Sequence, residues 1–289
     1  MIEKTKFHSR RHFFKATGGL ALASAGLAKG PLAGRIKIAV KYHMIQEPEL
    51  SVVEKFLMLK RAGFDGVELK TTEKVDHDEV LAAISKTGLS VHGIVNASSP
   101  DVIAGVKVAK KLGADSVLIL AAEDKKLSWD ENFPVWQKRV SEAIPLAKES
   151  GVKLCIENVR ATFLKTAEGM SKFIDSFESD VVKSYFDLGN TITWTEQSGE
   201  HWADVLAKRI YKLDIKDRGH AEFGDPKTKR AGITTGTNGG EVNWADVRKE
   251  LAEVNFSGWA TAEVAGGDEA RLTRMAAWMR DVLDLEKSA

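Results

Sequence analysis

The fold is decided by a unit that is clearest at residues 52–70, which read VVEKFLMLKRAGFDGVELK. Apolar residues recur at helical spacing up to Leu59, and Gly63 stands where a helix C-cap is expected. A short apolar run, 66–70, follows at once and has the length of a buried strand. This stretch therefore predicts a helix that leads through a tight loop into a buried strand.

The same alternation of short apolar runs and longer amphipathic segments extends over the rest of the chain. The runs predict eight strands, near 36–41, 66–70, 89–95, 115–121, 152–157, 182–187, 209–216 and 258–264. Strands that alternate with helices indicate parallel βα units. Eight such units in about 250 residues favour one closed (β/α)8 TIM barrel of the α/β class, spanning 36–285, over an open doubly wound sheet. The long loop 217–242 is expected to be a lid or a disordered excursion.

Composition and cysteine content limit the kinds of site that the chain can hold. Of its 289 residues, 43% are hydrophobic and 29% are charged, which is typical of a soluble globular protein. Its apolar runs fall short of the roughly 18 residues that a membrane span needs. Cys155 is the single cysteine and is predicted to be a small buried hydrophobe rather than a nucleophile. Any metal must therefore bind to carboxylates and imidazoles.

Residues 1–28 have the three parts of an export signal. SRRHFFK at 9–15 holds paired arginines, and a run rich in Gly and Ala follows it. The segment resembles a twin-arginine signal, with cleavage expected at the triplet 23–25 or near Ala28; an ordinary basic N-terminus is the alternative. Loss of the first 25 residues would remove five basic residues and one acidic residue, changing the net charge from +1 to about −3. A periplasmic or otherwise exported protein of this charge is a poor candidate for binding nucleic acid.

Acidic residues stand at the ends of four successive predicted strands, strands 5 to 8. They are Glu157, Asp187, Asp214 and Glu263. In a TIM barrel the C-terminal ends of the strands face the active site, so these carboxylates are expected to converge at one side of the barrel mouth.

Four buried carboxylates need a compensating charge, because desolvation without one costs many kcal/mol or forces protonation. A divalent cation is the simplest compensation. Oxygen ligands favour Mn²⁺ or Mg²⁺, with Zn²⁺ or Co²⁺ as alternatives. The competing interpretation is a metal-free network in which Lys216, Lys70 or Arg160 pairs with the acids.

At these positions the chain resembles the xylose-isomerase-like TIM barrels, the sugar phosphate isomerases and epimerases. The resemblance is carried by AGFDGVEL at 62–69, IEN at 156–158, FDLGN at 186–190, LDIKD at 213–217, GGEVNW at 239–244 and the terminal AEV. It implies a divalent metal held by Glu157, Asp187, Asp214 and Glu263. It also implies that Glu157 and Glu263 exchange the substrate proton on opposite faces of the sugar. Relatives are often dimers or tetramers, so a homodimer is one expected assembly.

The chain departs from this family in the segment of strand 7. Where the usual pattern is His-x-Lys-Asp, this chain has Asp214-Ile215-Lys216-Asp217. A carboxylate at Asp214 adds negative charge and shifts the preference toward harder ions. Asp214 is therefore either a fourth ligand or a neighbour of the metal, with a water completing the site.

Further polar and aromatic residues are predicted near the mouth. Lys216 shares the side of Asp214 on its strand and is a candidate catalytic and substrate-binding group. Lys70 and Asn190 are candidate substrate contacts. His92 is a candidate proton shuttle, with a hydrogen-bonded core histidine as the alternative. Of five tryptophans expected on the site's side, one or two are expected to contact a sugar; they are Trp129, Trp136, Trp194, Trp202 and Trp244.

The predicted chemistry is proton abstraction next to a carbonyl, through an enediolate. A metal-dependent isomerase or epimerase acting on an unphosphorylated keto-sugar is favoured, because Asp268 and Glu269 after strand 8 would repel a phosphate. The same first step followed by elimination gives a lyase or dehydratase acting on a keto-sugar or a 3-oxo-glycoside. A non-catalytic periplasmic sugar-binding barrel is the remaining alternative.

Overall fold

A computed structural model describes residues 30–195, 197–225 and 239–285. Parallel strands form a closed barrel in which each strand pairs with the next and the eighth pairs with the first. The strands are β1 (Ile36–Lys41), β2 (Gly66–Lys70), β3 (Ser90–Val95), β4 (Ser116–Ile119), β5 (Lys153–Glu157), β6 (Val182–Asp187), β7 (Ile210–Ile215) and β8 (Gly258–Ala262). The predicted (β/α)8 barrel is confirmed. Strand edges differ from prediction by at most two residues.

Helices surround the barrel. Across the described residues they are α1 (Val52–Ala62), α2 (His77–Thr87), α3 (Val102–Leu112), α4 (Trp129–Ser150), α5 (Ala167–Asp175), α6 (Leu188–Trp194), α7 (Gly199–Leu206), α8 (Trp244–Glu253) and α9 (Glu269–Val282). Helix α6 lies at the mouth of the barrel, where Asn190 and Trp194 line a cavity. The helices α1 to α4 each end at a glycine in the left-handed conformation, with φ between 67° and 93°. None of the helices in these ranges is long and apolar enough to cross a membrane.

Polar side chains, as well as apolar ones, fill the part of the barrel interior that lies toward the N-terminal ends of the strands. The Lys212 side chain is buried, and its Nζ lies 2.6 Å from Oδ1 of Asp115, the residue just before β4. The same Nζ lies 3.2 Å from Nδ1 of His92, whose ring stacks on Trp259 at a centroid distance of 4.5 Å. This network joins β3, β4, β7 and β8 below the barrel mouth, since Lys212 and Trp259 are register partners two residues before Asp214 and Thr261.

Asp217, just beyond β7, fixes both ends of the long loop that follows it. Two short strands, Asp217–Arg218 and Gly224–Asp225, begin the loop, while residues 226–238 lie outside the described residues. The buried Asp217 carboxylate accepts hydrogen bonds from the backbone N–H of Glu241 at 2.8 Å and from Nε1–H of Trp244 at 3.0 Å. Asp217 therefore ties the C-terminal end of the loop to the end of β7.

Replacing Asp217 with Ala should lower the free energy of unfolding by about 2–4 kcal/mol, because several buried donors lose a charged acceptor. Urea unfolding followed by circular dichroism measures the change. Asp180→Ala removes an exposed carboxylate that pairs with Lys153 and is the matched control; its unfolding midpoint should stay close to that of the wild type. Equal midpoints for the two variants would show that Asp217 does not hold the loop.

Candidate active site

The four predicted carboxylates meet at the C-terminal end of the barrel. One oxygen from each of Glu157, Asp187, Asp214 and Glu263 can be chosen so that all four lie within 4.8 Å of one another. Parallel register places them there, since Asp187 on β6 pairs with Asp214 on β7. The side chains of Asp187 and Asp214 are fully buried, whereas that of Glu263 is 32% exposed. The structure thus brings together the whole predicted set.

Two lysines pair with these carboxylates. Lys216 Nζ lies 2.6 Å from Asp187 Oδ2 and 2.6 Å from Glu263 Oε2. Lys41, the last residue of β1, lies 3.0 Å from Asp214 Oδ2 and 2.6 Å from Glu263 Oε1. The Lys216 pairing was one of the sequence alternatives, whereas the Lys41 pairing was missed. Its signal was an ionisable residue that follows the apolar run 38–40 at the end of β1.

Burial makes the carboxyl groups titrate very differently from one another. Burial, reinforced by Glu263, raises the pKa of Glu157 to about 8. Burial likewise holds the pKa of Asp187 and of Asp214 well above the usual range. Although burial opposes it, the two ammonium groups of Lys41 and Lys216 lower the pKa of Glu263. At neutral pH the cluster therefore contains one firmly ionised glutamate beside one that holds a proton.

The donor set fits a divalent cation. Fully ionised, four carboxylates and two ammonium groups carry a net charge of −2, which one divalent ion neutralises. Asp214 Oδ1 is buried and accepts no hydrogen bond from the described residues, so this oxygen is available to bind a cation. Glu263 is shared with both lysines, so a cation and the ammonium groups compete for it. Oxygen-only ligation suits Mn²⁺ or Mg²⁺ better than ions that prefer sulfur or nitrogen.

Two asparagines orient the Asp187 carboxylate and its backbone. Asn190 donates through Nδ2 to Asp187 Oδ2 at 2.7 Å and through its backbone N–H to Oδ1 at 3.0 Å. Asn158, after β5, exchanges two hydrogen bonds with the Asp187 backbone, at 2.7 and 2.8 Å. Asn190 was predicted as a substrate contact; its amide already bonds to Asp187, and the residue also lines a cavity beside the carboxylates.

His92 lies in the polar network below the carboxylates. Its Nε2 is 3.1 Å from Thr261 Oγ1 and its Nδ1 is 3.2 Å from Lys212 Nζ. Burial, with Lys212 close by, lowers its pKa well below the usual range, so the ring is neutral. This placement favours the alternative of a hydrogen-bonded core histidine over the predicted proton shuttle.

The remaining candidates lie apart from the ion pairs. Lys70 is half-buried at the end of β2, and among the described residues neither Lys70 nor Arg160 pairs with the four acids. Cys155 is fully buried against Leu118 and Tyr185, and burial raises the pKa of its thiol, which confirms that it is a small core residue.

A cavity of about 520 Å³ opens beside the carboxylates, within the usual range for small-molecule sites. Lys216 and Glu263 form its inner wall, and Trp194 and Asn190 form one side. Of the five tryptophans considered, Trp136, Trp202 and Trp244 are buried, and Trp129 packs among phenylalanines. Trp194 alone of the five lines this cavity in the described structure.

The architecture and the site define a TIM barrel whose ionisable residues gather at the C-terminal ends of strands β5 to β8. The chain belongs to the xylose isomerase-like TIM barrel family, whose sequence model matches residues 56–282. Among curated proteins, an inosose dehydratase of Clostridium botulinum (strain Alaska E43 / Type E3) is 26% identical over 129 residues, covering 41% of this chain and 42% of that protein. The chain thus spans less than half the length of that relative.

Solved structures share the fold at low sequence identity. The 3-keto-D-glucoside 4-epimerase from E. coli, in its apo form, matches with a TM-score of 0.69 and 18% identity, covering 85% of this chain and 99% of that one. The IOLI protein, whose structure contains a bound zinc atom, matches with a TM-score of 0.66 and 16% identity, covering 86% and 98%. These likenesses support the fold.

Glu157→Gln and Asp214→Asn should each weaken Mn²⁺ binding on the order of 100-fold or more, since each replaces an anionic ligand with a neutral amide of the same shape. Isothermal titration with Mn²⁺, checked by elemental analysis, measures the loss. Cys155→Ala, two residues from Glu157 on the same strand, is the control and should bind Mn²⁺ like the wild type. Full metal occupancy in both carboxylate variants would show that the ligand set is wrong.

Proposed function

We propose that this protein is a divalent-metal-dependent sugar isomerase or epimerase that acts on an unphosphorylated keto-sugar. The observation that carries the proposal is the convergence of Glu157 and Glu263 with two aspartates beside the 520 Å³ cavity. Membership of the xylose isomerase-like family and the epimerase fold neighbour agree with this reaction class.

The two glutamates are suited to a proton transfer between them through a substrate carbon. Without a cation, Glu263 is ionised while Glu157, with its pKa of about 8, holds a proton. Binding a cation requires both groups as carboxylates, so that one of them removes the substrate proton and the other, reprotonated from solvent, returns one. A cation held by Glu157, Asp187, Asp214 and Glu263 would polarise the substrate carbonyl and hydroxyl oxygens. Lys216 stands where its ammonium group can donate a hydrogen bond to the developing enediolate oxygen.

An unphosphorylated substrate is supported by the start of helix α9. Asp268 caps this helix and accepts a hydrogen bond from the backbone N–H of Arg271 at 2.9 Å, while Glu269 pairs with Arg61. Two carboxylates therefore stand at the helix N-terminus where a phosphate would otherwise bind. Three basic residues of the loop 217–242 are the sequence feature that would instead favour a phosphate, and they lie outside the described residues: Lys227, Lys229 and Arg230.

A lyase or dehydratase is the second candidate, and the inosose dehydratase relatives favour it. The proton abstraction is the same; the enediolate then expels a group from the neighbouring carbon instead of being reprotonated. The products distinguish the two reactions. Elimination yields an unsaturated ketone and the released group, whereas epimerisation leaves the molecular mass of the sugar unchanged.

Incubation in D₂O with Mn²⁺ and a panel of free ketoses and 3-oxo-glycosides should give deuterium at the carbon next to the carbonyl, visible by NMR. Glu157→Gln and Glu263→Gln should each lower the exchange rate by about 100-fold or more, because each loses its proton carrier. Cys155→Ala should retain the wild-type rate within about twofold. A metal-loaded wild type that exchanges no proton on any of these sugars would favour the non-catalytic sugar-binding barrel.

Export through the twin-arginine route is proposed from the sequence alone, since residues 1–29 lie outside the described residues. The paired arginines at 10 and 11 are its recognition feature. Arg10→Lys with Arg11→Lys should retain the full-length chain in the cytoplasm of a bacterial host, whereas the wild type should appear shortened in the periplasmic fraction. A wild-type chain that stays cytoplasmic and uncleaved would overturn the proposal.

A further inference from the structure

A second cavity lies next to the one that holds the carboxylates. It has a volume of about 280 Å³, and Asn190 and Trp194 line both cavities. Its other walls come from the loops after β4 and β5 and from the segment after α6. A molecule longer than one sugar ring can therefore extend from the carboxylates, past Trp194, into the second cavity.

Trp194 has the features of a binding platform. Its side chain is 44% exposed, which makes it the one exposed aromatic among the large apolar side chains of the described residues. It is nevertheless held in place, since its Nε1–H donates to Asn190 Oδ1 at 3.1 Å and the Arg160 guanidinium lies 5.0 Å from its ring centroid. A fixed, solvent-facing indole presents an apolar surface suited to the C–H face of a sugar.

The charges around the second cavity are predominantly positive. Lys125, Arg160 and Lys165 line it, against the single acid Glu123. Lys165 pairs with Glu123 at 3.2 Å, whereas Lys125 and Arg160 have no carboxylate partner in the described parts of the chain. Two uncompensated cations beside an aromatic platform favour a ligand that carries an anionic group, and a guanidinium matches a carboxylate geometrically.

We propose that the second cavity binds the second unit of a glycoside, and that this unit carries a carboxylate. The inference rests on the proposed function in one respect: the reacting sugar occupies the carboxylate cavity. The second unit lies on Trp194 with its acid group toward Arg160 and Lys125. Asn190 links the two cavities, since it hydrogen-bonds both to the Trp194 indole and to the Asp187 carboxylate.

Binding in the second cavity can be measured without any turnover. The protein carrying 5-fluorotryptophan, with Mg²⁺ present, is titrated with D-glucuronate, D-glucose and inorganic sulfate while the fluorine resonances are followed. Trp194→Phe identifies the Trp194 signal. D-glucuronate should shift this signal saturably and should bind at least about tenfold more tightly than D-glucose or sulfate, because it alone offers both a sugar face and a carboxylate.

Arg160→Ala should weaken the binding of D-glucuronate about tenfold, since it removes the guanidinium on Trp194 and no part of the carboxylate cluster. Lys138→Ala removes an exposed lysine on α4 that pairs with Glu142, and it serves as the control with unchanged affinity. Equal binding of glucose and glucuronate, equal binding of sulfate and glucuronate, or unchanged binding in Arg160→Ala would each overturn the assignment.

A second experiment tests whether binding in the second cavity contributes to the reaction. In the deuterium-exchange assay, a 3-oxo-glycoside with a carboxylated second unit should have a kcat/KM about tenfold above that of its methyl glycoside, and Arg160→Ala should reduce this advantage. If no substrate exchanges, the proposed function fails while the fluorine titration still decides the second cavity. If both glycosides exchange equally, the proposed function stands and the assignment of the second cavity fails.

Discussion

The barrel mouth depends on one constraint: four carboxylates are held together out of water. Closure of the parallel barrel places the ends of β5 to β8 side by side, and the side-chain period of two directs their last inward residues to the same point. Such a cluster is stable only with compensating positive charge, which Lys41 and Lys216 supply in part. When all four carboxyl groups are ionised, as metal binding requires, a net charge of −2 remains, which one divalent cation neutralises.

The same constraint explains why the two glutamates behave differently. Glu263 lies between both ammonium groups and ionises readily, whereas Glu157 has neither ammonium group as a hydrogen-bonded partner among the described residues and stays protonated to about pH 8. The asymmetry arises from strand positions, since Lys41 and Lys216 stand on β1 and just beyond β7, the two strands beside β8. The difference in pKa between the two glutamates thus follows from the topology of the barrel.

Sequence predicted the barrel and the carboxylates well because both leave local signals. A parallel strand buried on both faces has a short apolar run as its sequence, and an acid at its end interrupts that run.

Hydrogen-bonded and ionic pairs across the barrel leave no such signal. Lys41 and Asp214 are 173 residues apart in sequence, and nothing near either one indicates that they pair. His92 was ambiguous for the same reason, since its partners Lys212 and Thr261 lie on other strands. Asp217 lies inside the LDIKD motif, yet its carboxylate holds the loop and is not part of the four-carboxylate cluster.

In the proposed function, the residues that select the substrate lie apart from those that carry out the chemistry. The carboxylates stand on strands whose register fixes them, whereas Trp194, Arg160 and Lys125 stand on α6 and on the loops after β5 and β4. Loops and short helices can change without disturbing the barrel, because strand pairing does not depend on them. Fold neighbours at 16–18% identity share the barrel and so do not determine the substrate of this chain. The features proposed to identify the substrate are therefore the indole and the cations around the second cavity, which Asn190 links to Asp187 in the carboxylate cluster.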